Sequence, residues 1–154
     1  MEIANVFTVG SDYEMEHEGF RIRGAGLGKR IGAELLGGSV YDVDPGKKLW
    51  PYHHHHANEE WLVVLRGQPT LRTPDGERRL VEGDVACFVR GGAGAHQVRN
   101  DSDEPVRLLM LSTKLAPETI EYPDSGKVLA KDAKGEDIFT SRYGEPVEYW
   151  DGER

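Results

Sequence analysis

The stretch PGKKLWPYHHHHANEEWLVVLRG, Pro45–Gly67, decides how this chain is read. Four consecutive histidines are followed by Glu59 and Glu60 and then by an apolar run that ends in glycine. Successive side chains of a β-strand point to opposite faces, so His53 shares a face with His55, and His54 with His56. Only one of these pairs can look into a barrel. Ala57 and Asn58 form a short turn, and Trp61 to Leu65, rich in Trp, Leu and Val, reads as the next strand. Glu59 and Glu60 open that strand, so one carboxylate returns opposite the imidazoles. Two nitrogens and one oxygen from adjacent strands make most of a site for a first-row transition metal.

The pattern around this stretch is β throughout. Turn signals such as Pro45-Gly46, Pro74-Asp75-Gly76, Glu82-Gly83-Asp84 and Asn100-Asp101-Ser102 punctuate short runs of branched and aromatic residues. From residue 33 the spacing predicts strands at 33–36, 39–43, 49–55, 61–66, 69–73, 78–81, 85–89, 95–99 and 105–113. Residues 106–111 form the most apolar run and belong deep in the core. PDGE between Thr73 and Arg78 is a hairpin turn. Many short, evenly spaced strands without long helical periodicity indicate an all-β sandwich or barrel. The histidine unit occurs once, which excludes a tandem pair of barrels.

A chain of 154 residues suits one core and one domain. The formal net charge of -8 lacks the basic footprint of a nucleic-acid surface. The start MEIANVFTVG has neither a signal-peptide pattern nor an apolar run that could span a bilayer, so no membrane association and a cytoplasmic location are expected. Cys87, the single cysteine, excludes an intrachain disulfide; within VACFV it is expected as a small buried hydrophobe.

The chain divides into residues 1–32, an N-terminal extension with the first strands; 33–114, the barrel; and 115–154, an extension packing on the barrel or on a dimer partner. Within the first part, Val6 to Val9 is expected as a weak strand, Asp12 to Glu18 as an exposed loop containing His17, and Phe20 to Arg23 as a short run. GLGKRIGAELLGG does not fit the order of a phosphate-binding loop and is expected as turns flanking a strand. The last part is polar but carries Ile120, Tyr122, Leu129, Phe139 and other anchors, too many for a disordered tail. YPDSGK, Tyr122–Lys127, is expected as a tight turn, with a lid as the alternative.

A second segment, EGDVACFVRGGAGAHQVRN, complements the first. Gly83-Asp84 turns into a strand, a glycine-rich bend follows, and His96 opens another strand with Asn100 four residues on. If that strand lies beside the His/Glu pair, His96 is a third imidazole.

Together the two segments resemble the paired signature motifs of the cupin superfamily. The first motif, Gly, five residues, His-x-His, three or four residues, Glu, six residues, Gly, is met by Glu60 to Gly67, with His53 and His55 at the four-residue spacing and His54 and His56 at the three-residue spacing. Gly46 lies one residue too far from His53 and two too far from His54. The smaller miss, together with Pro51 where the family often carries proline, favours His53 and His55. In the second motif Gly83, His96 and Asn100 match, while Val89 replaces the proline and the bend is two residues longer.

The resemblance implies a double-stranded β-helix, the jelly-roll cupin barrel, with an extended C-terminal segment. It implies one divalent transition metal, Fe, Mn, Ni, Cu, Co or Zn, held by His53, His55, Glu60 and His96, with His54, His56 and Glu59 as alternatives. The implied function is a metal-binding barrel, a mononuclear enzyme of dioxygenase, isomerase or decarboxylase type acting on a small oxygenated molecule, or else a non-catalytic ligand-binding barrel. Tyr41, Trp50, Tyr52, Arg72, Arg90, Gln97 and Arg107 are candidates to line the pocket or orient the ligands, the arginines suiting an anionic substrate. A homodimer is expected by analogy.

Overall fold

The computed structural model describes residues 1–144 and 146–153. Thirteen strands and one helical turn succeed one another: β1 (Tyr13–His17), β2 (Phe20–Gly26), α1 (Leu27–Ile31), β3 (Leu36–Val43), β4 (His54–His55), β5 (Glu60–Arg66), β6 (Thr70–Thr73), β7 (Gly76–Arg79), β8 (Val85–Phe88), β9 (Gln97–Arg99), β10 (Val106–Thr113), β11 (Glu118–Tyr122), β12 (Lys127–Lys131) and β13 (Asp137–Arg142). They form a six-stranded sheet in the order β1-β2-β3-β10-β5-β8, a four-stranded sheet β13-β12-β11-β4 and a three-stranded sheet β7-β6-β9. The fold is the all-β jelly roll. No helix among the described residues is long and apolar enough to cross a membrane.

Alternation along the central strands builds the core. Leu62 and Val64 of β5 face inward against Met110 and Leu108 of β10, and Leu108 in turn lies opposite Tyr41 of β3. Leu62, Val64 and Leu108 are essentially without solvent contact. Cutting one of the two leucines back to alanine would cost about 2–5 kcal/mol.

Several segments differ from the sequence expectation for identifiable reasons. Residues 6–9 form a turn, not a strand: the Asn5 carbonyl accepts the amides of Thr8 and Val9, and the carbonyls of Val6 and Val9 accept from Arg107. Residues 13–17 of the acidic patch are strand β1, exposed on both faces because it is an edge paired only with β2. The glycine-rich segment holds α1, closed by Gly32 at φ 72°, a left-handed position that glycine adopts without strain. Residues 33–35 are not a strand; regular pairing begins at Leu36, where β3 meets Thr113 of β10.

Residues 49–55 do not form one continuous strand. Pro51 has no N–H to donate, and only His54 and His55 enter a ladder, with β11. Cys87 is exposed rather than buried, because Ala86 and Phe88 take the inward phase of β8. Tyr122–Lys127 is a tight turn, with one 3-10 turn at Pro123–Ser125 ending in Gly126 at φ 59°.

Candidate metal centre

Glu60 occupies the inward phase of β5 set by Leu62 and Val64, so its carboxylate reaches the end of the barrel interior. Across β5, Phe88 of β8 lies opposite Glu60 and stacks its ring on His96 at a centroid distance of 3.7 Å and an angle of 6°. His53 and His96 exchange both backbone hydrogen bonds, N–H to O distances being 3.2 and 2.9 Å. That pairing brings the two imidazoles to the same place, their centroids 4.6 Å apart.

The side chains converge on one carboxylate oxygen. Nε2 of His55 lies 3.2 Å from Glu60 Oε2, Nε2 of His96 3.3 Å and Nε2 of His53 3.9 Å. The ligand atoms of His53, Glu60 and His96 all lie within 4.8 Å of one another. Donors bound to one first-row ion at about 2.0–2.2 Å are themselves about 3–4 Å apart, so the spacing fits a metal.

Protonation reinforces the fit. His53 Nδ1 donates to the Pro51 carbonyl at 2.8 Å, and His96 Nδ1 donates to the Gly94 carbonyl at 2.9 Å. With the proton on Nδ1, each neutral ring turns the Nε2 lone pair toward an anionic oxygen. Glu60 Oε2 and His96 Nε2 are buried 3.3 Å apart, and neither has a hydrogen-bond partner. A cation between them would satisfy both.

The electrostatics follow from burial and neighbours. Burial, with the rings of His96 and His55 beside it, pushes His53 down to about 4. For His55, burial acts downward, but the carboxylates of Glu60 and Glu118 prevail and the pKa is raised. Burial acts upward on Glu60, and the pull of His55 and His96 outweighs it, so the group stays ionised.

Glu118, which the sequence reading passed over, fixes the second layer. Its Oε2 lies 3.3 Å from His55 Nδ1, and its Oε1 accepts the amides of His56, Ala57 and Thr119 at 3.1, 2.9 and 2.9 Å. The Asn58 amide also donates to it, while Asn58 Oδ1 accepts from Thr113 and Leu115. A carboxylate on the remote nitrogen of a metal-facing histidine holds the ring's tautomer and direction. The strand alternation Glu118, Ile120, Tyr122 was the available signal.

The C-terminal sheet closes one side. A cavity of about 470 Å³ is lined by His53, His55 and Glu60, by Tyr41, Trp50 and Met110 of the barrel, and by Ile120, Tyr122, Leu129, Lys131 and Asp137 of the C-terminal sheet. The Tyr122 ring stacks on His53 at 6.0 Å. A neighbouring cavity of about 360 Å³ shares His55, Ile120 and Lys131 and adds Lys114 and Lys134.

The remaining candidates are distributed as follows. Glu59 is exposed and takes the Trp61 indole N–H at 3.4 Å, away from the cluster. His54 and His56 face away from it, toward Glu121. Tyr41 and Trp50 line the cavity and meet edge-to-face at 5.9 Å. Tyr52 lies under the Arg72 guanidinium at 3.9 Å, and Arg72 is held by Asp124 in two hydrogen bonds. Gln97 donates to the Trp50 carbonyl. Arg107 is buried, clamped by Asp42 and by two carbonyls of the N-terminal turn. Arg90 and His17 are exposed. Asn100 is fully buried and donates to the carbonyls of Val43 and Glu104, which makes it a loop anchor.

Residues 39–112 match the family described as the cupin domain. No curated protein sequence matches the chain. Among solved structures, an inferred sugar phosphate isomerase from Acidithiobacillus ferrooxidans is 25% identical at a TM-score of 0.82, covering 93% of this chain and 91% of its own. A sugar phosphate isomerase of the cupin superfamily from Silicibacter pomeroyi is 25% identical at a TM-score of 0.78, covering 94% and 96%. A predicted oxalate decarboxylase from Thermotoga maritima, 15% identical at a TM-score of 0.60 and covering 72% of this chain and 97% of its own, shares the fold alone.

Proposed function

This chain belongs to the cupin superfamily, and from that premise we propose that it is a metal-dependent isomerase acting on a small sugar phosphate or a related phosphorylated hydroxycarbonyl compound. The observation that carries the metal is the convergence of three imidazole nitrogens on a buried carboxylate oxygen that has no hydrogen-bond partner. His53, His55, Glu60 and His96 would hold one divalent transition ion. Such an ion supplies Lewis acidity, polarising a carbonyl so that the neighbouring C–H loses its proton more readily.

The chain's own residues supply the rest. Trp50, Met110, Ile120 and Leu129 give the cavity apolar walls that exclude water from a reacting carbon centre. Moving a proton between adjacent carbons needs a titratable group in the same cavity, and Tyr41, Tyr122, Lys131 and Asp137 are the ones that line it beside the proposed ligands. Lys131 and Asp137 pair at 2.6 Å. Lys114 and Lys134 around the adjoining cavity suit the phosphate end. Arg72 and Arg107 are already neutralised by Asp124 and Asp42, and Arg90 is exposed and does not line either cavity. Two full-length neighbours named as sugar phosphate isomerases support the same class. We also infer a homodimer through the outer face of the six-stranded sheet, where Trp61, Val85 and Leu36 are exposed.

The test is turnover in D2O. Tag-free protein loaded in turn with Fe, Mn, Co, Ni, Cu and Zn is incubated with a panel of aldose and ketose phosphates and followed by proton NMR. Interconversion with deuterium incorporation at the carbon beside the carbonyl, lost in His96→Ala, is expected. Saturable binding of the panel without exchange would instead make the chain a ligand-binding barrel.

A further inference from the structure

The histidine tract has a second face. We propose that His54, His56 and Glu121 form a second divalent-cation site, on the side of β4 opposite the cavity and independent of the isomerase reading.

Strand periodicity sends His53 and His55 one way and His54 and His56 the other. The antiparallel register of β4 and β11 places Glu121 directly opposite His54. Its carboxylate reaches both rings: His56 Nε2 lies 2.7 Å from Oε1, and His54 Nε2 lies 3.9 Å from Oε2. One ligand atom from each of the three residues lies within 4.8 Å of the others, and the two ring centroids are 5.1 Å apart.

An ordinary surface hydrogen bond explains His56 and Glu121, with Tyr143 donating to the other carboxylate oxygen. It does not explain His54. That residue is 6% exposed, and its Nε2 stands 3.9 Å from Glu121 Oε2, beyond hydrogen-bond distance. A buried imidazole with an unsatisfied nitrogen is costly unless the ring is put to use. An ion held by Nε2 would fill the gap to the Glu121 carboxylate that no hydrogen bond spans.

Two imidazoles and a carboxylate suit Zn, Ni or Cu rather than Mg or Ca. The His56 and Glu121 side chains are 47% and 30% exposed, so an ion here is open to solvent and exchanges more readily than one in the inner cluster. It would stitch β4 to β11, the strands that carry His55 and Glu118. Occupancy of the outer site therefore stiffens one wall of the inner cavity without touching it.

The experiment is a calorimetric titration of full-length, tag-free, chelator-stripped protein with zinc chloride. Wild type is expected to bind two equivalents, His96→Ala to keep the outer one, and His56→Ala and Glu121→Gln each to keep only the inner one. Circular dichroism checks that each variant is folded; His56 is exposed and Glu121→Gln is isosteric, so both substitutions are mild. Equal stoichiometry and affinity in wild type and Glu121→Gln, or no binding by folded His96→Ala, overturns the proposal. Failure of the inner site registers separately, as an unchanged equivalence in His96→Ala.

Discussion

His55 and Glu118 are 63 residues apart along the chain, yet ring Nδ1 and carboxylate Oε2 lie 3.3 Å apart. The contact aims the other ring nitrogen at Glu60, and it does so from the strand that follows the barrel. Glu118→Gln keeps the shape but weakens the hold on the ring, and metal affinity is expected to fall about 10–100-fold. Glu118→Ala in addition strands buried donors of Asn58 and the turn, at a cost of about 2–4 kcal/mol. Metal titration and urea unfolding read the two effects separately. Wild-type affinity in a folded Gln variant would remove the pair from the site's design.

The metal-free protein should lose stability in mild acid, partly through His53. Its folded pKa, near 4, is below its unfolded value of 6.5. As pH falls between these values the unfolded chain takes up a proton that the folded chain refuses, so stability drops with falling pH and levels off below about 4. The loss is on the order of 3 kcal/mol at the acid end of that window. His55 acts in the opposite sense: its raised pKa adds stability at low pH, which is lost as pH rises through the folded value. Unfolding of His53→Gln measured beside wild type from pH 7 to 4 isolates the first effect. The difference between the two curves should narrow toward acid, and a constant difference would rule it out.

The fold was legible because its central strands advertise themselves by alternation. Leu62 and Val64 mark the inward face of β5, and the same phase carries Glu60 to the barrel end. The spacing of Glu60, Gly67, Gly83, His96 and Asn100 then points to one family. Side-chain phase alone could not choose between His53/His55 and His54/His56, since an unbroken histidine run looks the same from both faces. In space the two backbone hydrogen bonds between His53 and His96 bring those two rings together, and it is His53 and His55 that lie beside Glu60. The C-terminal sheet was harder to see because its strands are short, polar on their outer faces and separated by turns. β11 is placed by pairing with a two-residue strand 65 and 67 positions earlier, Ile120 with His55 and Glu121 with His54, and local pattern carries no record of that. Arg107 and Arg72 illustrate the same limit: sequence offers an arginine but not its carboxylate partner.

The glycine-rich bend before His96 has one position that admits no side chain. A Cβ on Gly94 would meet the Val89 carbonyl oxygen at 1.8 Å, and the Gly94 carbonyl holds His96 Nδ1. Gly94→Ala must open the bend, costing about 1–3 kcal/mol and displacing His96 from its stack on Phe88. Gly92→Ala, where a Cβ meets nothing within 4 Å, is the control and should be near neutral. Thermal unfolding with and without added metal distinguishes them: the metal-induced gain should survive in Gly92→Ala and largely vanish in Gly94→Ala. Equal gains would mean that the bend adapts without moving His96.

The outer face of the six-stranded sheet makes a prediction about assembly. Cys87, Trp61 and Leu111 form one cross-strand row, and Val85, Val63 and Leu109 the next. Trp61 and Val85 are about half exposed in the single chain, and Leu36 borders the same shallow apolar pocket as Trp61 and Leu111. Contiguous apolar surface of this kind marks an interaction site. A charge at its centre is costly to bury without a partner, so Trp61→Glu should convert a dimer to a monomer in light scattering at micromolar concentration. Cys87 reports on the same event, being beside Trp61 on that face. Its thiol should react slowly in wild type and several-fold faster in Trp61→Glu. A monomeric wild type, or a dimer whose Cys87 reacts at the same rate in both proteins, would place the contact elsewhere or remove it.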